Sequence, residues 1–270
     1  MNTIWHNGHW VEDGAIFTSS DRVRFGDGIF DTMLAIIDDS GVRLIHADLH
    51  FNRLLHDAQL LEIHPLPTLE TLTSTAAELL TKNNAPHGRH VINTIISRGE
   101  GPRGLMPPEK MSPTTIMRHS PAPETFPAIT AITARRAFRN EGSPLSQVKS
   151  CNYGDNILAL IEARNKGAND AIMLNNAGKI TCTTSGNIFV INNGTLYTPP
   201  LSDGVMNGIT RKIMLDTFKV IECSLDINDL RNADGIYITN SVRGIMPLTT
   251  LNGQPVPTPS ITIEQDAHIS

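Results

Sequence analysis

Residues 121–138 read PAPETFPAITAITARRAF, and they decide how the chain is organised. PAPETFP is the densest proline stretch in the sequence, and AITAITARRAF directly after it has the composition of a strand. Proline fixes φ and removes an amide donor, so regular structure stops there and starts afresh. The expected organisation is an N-terminal domain over 1–120, a linker over 121–127 and a C-terminal domain over 128–270. A chain of 270 residues, longer than most single domains, suits two cores.

Toward the N-terminus, WHNGHWVEDGAIF and TMLAIIDDSGVRLI read as strands, with Asp39, Ser40 and Gly41 forming a hairpin turn. From His46 to Ile63 the apolar positions Ala47, Phe51, Leu54, Ala58 and Leu61 recur at spacings of four and three, which predicts a helix with His50 and Arg53 flanking its stripe. Thr68 is placed to cap a second helix that ends at Asn83, Asn84 and Pro86, and the β-type run RHVINTIISRG follows. Toward the C-terminus come Lys149 at the end of a β-type segment and a helix from Asn156 to Lys166. Strands DAIML and KITCTT, a hairpin IFVINNGTLYTPP, a helix after Gly208 and a strand GIYIT complete the order. The regular βαβ rhythm of a doubly wound sheet is missing, so the C-terminal domain is expected to be α+β and barrel-like.

Charge and composition narrow the function. Lys+Arg 22 against Asp+Glu 27 gives a net charge of −5, which argues against a general nucleic-acid binder. The longest apolar runs are far short of the roughly 20 residues that span a bilayer, and MNTIWHNGHW has no charged-then-apolar leader, so no membrane partner is expected. Cys151, Cys182 and Cys223 form no C-x-x-C pair, and no Cys/His group has zinc spacing. These features predict a cytoplasmic enzyme without a metal.

Two polar segments could hold an anion. In NGITRK, 207–212, a glycine precedes a helical run, so the amides of Ile209 and Thr210 would project from a helix N-terminus. TNSVRG, 239–244, follows a strand and offers hydroxyl and amide groups at its end. Each alone also reads as an ordinary turn.

The order of eight segments carries more information than any one of them. RFGDGIFDT (24–32), HFNRL (50–54), SRGEGPRG (97–104), KSCNYGDN (149–156), TSGNIFVI (184–191), GTLYTPPL (194–201), NGITR (207–211) and TNSVRGIMP (239–247) occur in one sequence. Together they resemble the class IV, fold type IV, pyridoxal-phosphate aminotransferase family, from about Asn7 to Pro247. That family also contains branched-chain and D-amino-acid aminotransferases and 4-amino-4-deoxychorismate lyase. The resemblance implies a small N-terminal α/β domain, a larger C-terminal α+β domain, pyridoxal 5'-phosphate lying between them and a homodimer. It implies that Lys149 holds the cofactor covalently and moves protons at the substrate carbon, a role suited to a lysine partly withdrawn from water. It implies that Arg53 clamps the phosphate with the Ile209 and Thr210 amides and Asn240 or Ser241.

One position departs from the pattern. Cys182 in ITCTTSGN stands where the family carries the glutamate that keeps the pyridine nitrogen protonated. A thiol supports a pyridinium less well than a carboxylate, so the ring is expected to be a weaker electron sink. On the substrate side the resemblance implies Phe30 and the arginines Arg98, Arg103 and Arg243, guanidinium suiting carboxylates. The D-amino-acid enzymes carry Arg-x-His in the loop matching SRGEGPRGL. Here Arg103 is kept and Leu105 replaces the histidine, so SRGEGPRG with TNSVRGI is nearest the 4-amino-4-deoxychorismate lyase branch. The expected activity is that lyase, with an amino-acid aminotransferase as the alternative and a non-catalytic phosphate-binding relative as a further one.

Overall fold

The computed structural model describes residues 2–14 and 17–267, so Ala15 and Ile16, in the predicted run WHNGHWVEDGAIF, lie outside the described residues. It divides into two units. One comprises Met1–Thr125 with Lys149–Asn152, the other Phe126–Val148 with Tyr153–Ser270. The expected division into two continuous segments therefore omits one return of the chain, in which four residues around Lys149 add themselves to the first unit.

The first unit is built on β1 (Thr3–His6), β2 (His9–Glu12), β3 (Gly28–Asp38), β4 (Gly41–Leu44), α1 (Ala47–Leu60), α2 (Leu69–Lys82), β5 (Gly88–Ser97) and β6 (Thr114–Pro121). Its sheet has the order β2-β1-β6-β5-β3-β4, every pairing antiparallel. Four of the five predicted stripe positions, Ala47, Phe51, Leu54 and Ala58, are buried on α1 together with His50 and Asp57, and α1 packs on β3; the fifth, Leu61, is half-buried just past the end of the helix. Thr68 caps α2 as expected, its hydroxyl accepting the Thr71 amide at 3.1 Å.

The second unit contains β7 (Ile129–Arg139), α3 (Gly154–Asn165), β8 (Asp170–Asn175), β9 (Ile180–Thr183), β10 (Asn187–Asn192), β11 (Thr195–Thr198), α4 (Ile209–Thr217), β12 (Val220–Glu222), α5 (Ile227–Arg231), β13 (Gly235–Asn240), β14 (Gly244–Leu251) and β15 (Gln254–Pro255). Its strands run β12-β11-β10-β13-β14-β7-β8-β9 in a single sheet, with β15 paired to β14. Two βαβ crossovers do occur: β7 and β8 are parallel with α3 between them in the chain, and β11 and β12 are parallel with α4 between them. Most other pairings are antiparallel, which makes the fold α+β. Ala159 and Ala163 of α3 pack with Ile132, Ala134, Ala171, Met173 and Cys182, while Met214 of α4 packs with Phe189, Ile191 and Tyr237. Among the described residues no helix is long and apolar enough to cross a membrane.

Candidate active site

Lys149 is placed by backbone pairing with the start of β3. Its carbonyl accepts the Phe30 amide at 2.9 Å, Cys151 donates to the Gly28 carbonyl at 2.8 Å, and Ile29 and Ser150 form an antiparallel bridge. The lysine amine then lies 4.5 Å from the Phe30 ring centroid, a cation–π distance. Phe30, expected on the substrate side, thus directly packs the lysine.

Beside this pair lies a carboxylate that the sequence reading missed. Asp31 alternates with Ile29 and Met33 on the buried face of β3 and meets α1 there. Arg53 grips it with Nε on Oδ2 and Nη2 on Oδ1, both at 2.9 Å, and His50 Nδ1 lies 2.7 Å from Oδ1. Burial alone would raise the Asp31 carboxyl, but Arg53, His50 and Lys149 outweigh it and hold it well below the ordinary carboxylate range. His50 is driven the other way, toward the neutral ring, by its own burial against the pull of Asp31. With Asp31 ionised, Nδ1 of His50 is the donor. Arg53 therefore has a structural duty to Asp31 that the predicted phosphate clamp did not include. The available signal was an acidic residue at an apolar-facing position of a strand, because a buried carboxylate requires cationic or hydrogen-bonding partners.

The arginines expected to hold substrate divide. Arg98 is buried, with Nε on both oxygens of Asp27 and its terminal nitrogens on the Leu61 and Glu62 carbonyls. Its donors are thus engaged within the fold. Arg243 reaches the buried Asp170 at 3.3 Å and the Ser185 hydroxyl at 3.0 Å, and Asp170 also accepts the Thr184 amide and hydroxyl. It too is tied into the fold. Arg103 alone of the three is exposed, on a loop held from beneath by Arg22. Arg22, only 3% exposed, donates to the carbonyls of Gly104, Leu105 and Met106 and pairs with Asp27 at 2.7 Å. A Cβ at Gly101 would stand 2.8 Å from the Arg22 side chain, so the glycine leaves room for that arm.

In the second unit α4 begins at Ile209 with no side chain capping it. The Thr210 hydroxyl is buried without a hydrogen-bond partner. Gly208 has no space for a side chain, since a Cβ would meet Asn187 Oδ1 at 2.1 Å, and Asn187 ties down the preceding turn through the Met206 carbonyl at 2.9 Å. An uncapped helix start with a buried, unsatisfied hydroxyl fits a phosphate. The Asn240 side chain serves its own turn: its Oδ1 accepts the Val242 and Arg243 amides and its Nδ2 donates to the Ser185 carbonyl, which closes the 240–243 turn. Ser241 is half-buried in the same turn. Cys182 on β9 is 8% exposed within the apolar cluster under α3, and burial raises its thiol, with Arg139 opposing only in part. The thiol is neutral at pH 7.

The chain matches the family Amino-transferase class IV over residues 28–251. A Methanocaldococcus jannaschii protein assigned as a branched-chain-amino-acid aminotransferase is 31% identical, the match covering 93% of this chain and 88% of that one. D-alanine aminotransferase of Staphylococcus epidermidis is 28% identical over 95% of this chain and 91% of its own. A Legionella pneumophila structure assigned as a 4-amino-4-deoxychorismate lyase superposes with a TM-score of 0.81 at 28% identity, covering 91% of this chain and 90% of that one. The chain belongs to the class IV aminotransferase family, a family of enzymes dependent on pyridoxal phosphate. Each unit taken by itself has residues that suit that cofactor: in the first a lysine packed on an aromatic ring, in the second an uncapped helix start suited to phosphate.

Proposed function

We propose that the enzyme is a 4-amino-4-deoxychorismate lyase, which releases pyruvate and leaves 4-aminobenzoate for folate synthesis. The observation that carries this reading is Cys182, a neutral buried thiol where the family pattern has a glutamate. Pyridoxal phosphate, when bound, supplies an electron sink for the carbon that carries the amine. With a thiol in place of a carboxylate that sink is weaker, and elimination tolerates this best because its product gains an aromatic ring. Lys149 would hold the cofactor and would take the proton from the amine-bearing ring carbon. The enolpyruvyl oxygen leaves, and pyruvate gains a proton at its methylene carbon. The Ile209 and Thr210 amides and the Thr210 hydroxyl would hold the phosphate, the group that the family resemblance also gives to Arg53. Arg103, the exposed member of the three candidates, takes a substrate carboxylate.

Amino-acid transamination is the second reading, supported by the aminotransferase names of the two relatives. The enzyme is further proposed to be a cytoplasmic homodimer. The outer face of α3 supports a second copy, since it presents Ile157, Leu158, Leu160 and Ile161 to solvent, more contiguous apolar surface than a solvated helix normally keeps.

The test is a panel of aminodeoxychorismate, D-alanine and L-leucine, assayed for pyruvate and for the pyridoxamine form of the cofactor. The expected result is pyruvate from aminodeoxychorismate with no pyridoxamine form. Pyridoxamine accumulating with either amino acid, while aminodeoxychorismate is untouched, establishes the second reading. Absence of a visible band abolished by borohydride marks a non-catalytic relative.

A further inference from the structure

The backbone of Lys149 has two polar groups, and only its carbonyl is taken by β3. Its amide is accepted by a side chain from a different element: Asp57 Oδ2, on α1, at 2.9 Å. Asp57 is 4% exposed and lies four residues after Arg53, one helical turn further along the same face. One face of α1 therefore addresses the lysine twice. Arg53 holds Asp31, whose charge is felt by the Lys149 amine, and Asp57 holds the Lys149 main chain.

We propose that Asp57 is a positioning residue for Lys149, its buried side chain fixing the lysine's main chain and thereby holding the amine over the Phe30 ring. This rests on the reading of Lys149 as the cofactor anchor. A lysine arm has four rotatable methylenes, so the place of its amine is set first by how firmly its own Cα is oriented. Lys149 sits where the returning chain first touches β3, with Val148 before it in the other unit, and an amide left loose there would free that orientation. Burial raises the Asp57 carboxyl while the Lys149 amide and Arg53 oppose it. Protonated or ionised, the group retains an acceptor oxygen, so the acceptor and not the charge is what the lysine needs.

The experiment compares the full-length chain with Asp57→Ala, Asp57→Asn and, as a packing control on the same helix, Leu54→Ala. In the cofactor-free proteins, acetic anhydride at fixed pH labels lysines, and the Lys149 rate is read by mass spectrometry against the remaining lysines. Pyridoxal phosphate is then added, the visible band recorded, and the adduct trapped at Lys149 with borohydride. Asp57→Ala is expected to change the Lys149 labelling rate by at least about threefold and to lower the trapped fraction, with Asp57→Asn within about twofold of the parent and Leu54→Ala unchanged in rate despite its lower melting temperature. Equal Lys149 rates in Asp57→Ala and parent, or an equal change in Leu54→Ala, overturn the proposal. Amide exchange in the parent guards against a variant that does not fold: a Lys149 amide exchanging at open-chain rates also overturns it. If the parent traps no cofactor at Lys149, the anchor reading fails, and the labelling and exchange results still decide whether Asp57 positions the amine.

Discussion

Asp31 and Asp57 both lie buried beside the Lys149 segment, yet their environments act on them in opposite senses. Asp31 binds its proton more weakly folded than unfolded. Its stabilising contribution is therefore complete above the ordinary carboxylate value of about 3.9 and is lost as the pH falls through and below it. Asp31→Asn leaves Arg53 half-buried without its counter-charge, and denaturant unfolding at pH 7 should show a loss of about 3–5 kcal/mol. The gap between parent and variant should narrow toward pH 3. Asp57 binds its proton more tightly folded, so its charge opposes folding as the pH rises through its raised value. Cys182 gives a different forecast. Cys182→Glu puts a carboxylate among Ile132, Ala159 and Met173, so the cofactor-free variant should melt below the parent and recover more on adding pyridoxal phosphate. In the substrate panel transamination should gain more than elimination, and equal effects would refute the weak-sink argument.

At the scale of elements, the start of α4 and the start of α2 invite contrasting substitutions. Gly208→Ala forces a methyl against Asn187 Oδ1, and the turn that presents the Ile209 and Thr210 amides must move. Equilibrium dialysis should show affinity for pyridoxal phosphate lowered by about tenfold or more, equivalent to about 1.4 kcal/mol. Thr68→Ala removes only a cap, remote in sequence from every candidate residue. It should cost about 1 kcal/mol in thermal unfolding and leave cofactor affinity unchanged. Together the two separate a helix start that serves a ligand from one that serves only its helix.

For the whole molecule, association is the property to measure. Leu160→Glu on the outer face of α3 should shift sedimentation equilibrium toward the monomer, and a monomeric parent would remove the dimer proposal. Much of this molecule was readable in its sequence where the signal was local. The α1 stripe, the Thr68 cap and the glycine before α4 each follow from residues a turn or two apart. What escaped was non-local. Asp31 meets partners 19 and 22 residues further on, and the Asp57 to Lys149 bond spans 92 residues. Periodicity shows that a position is buried without showing what faces it. Arg98 and Arg243 are undivided from Arg103 in the sequence for the same reason, because a guanidinium serving an aspartate of the fold and one facing solvent look alike until the aspartate is located.

The return of Lys149–Asn152 means that the backbone passes from one unit to the other three times, after Thr125, after Val148 and after Asn152. A protease cutting once behind the proline-rich stretch would therefore yield two fragments on a denaturing gel, with the lysine travelling on the C-terminal one. Expressing residues 1–125 by themselves would give a sheet and two helices deprived of that lysine, and Asp57 would face an empty place in the chain.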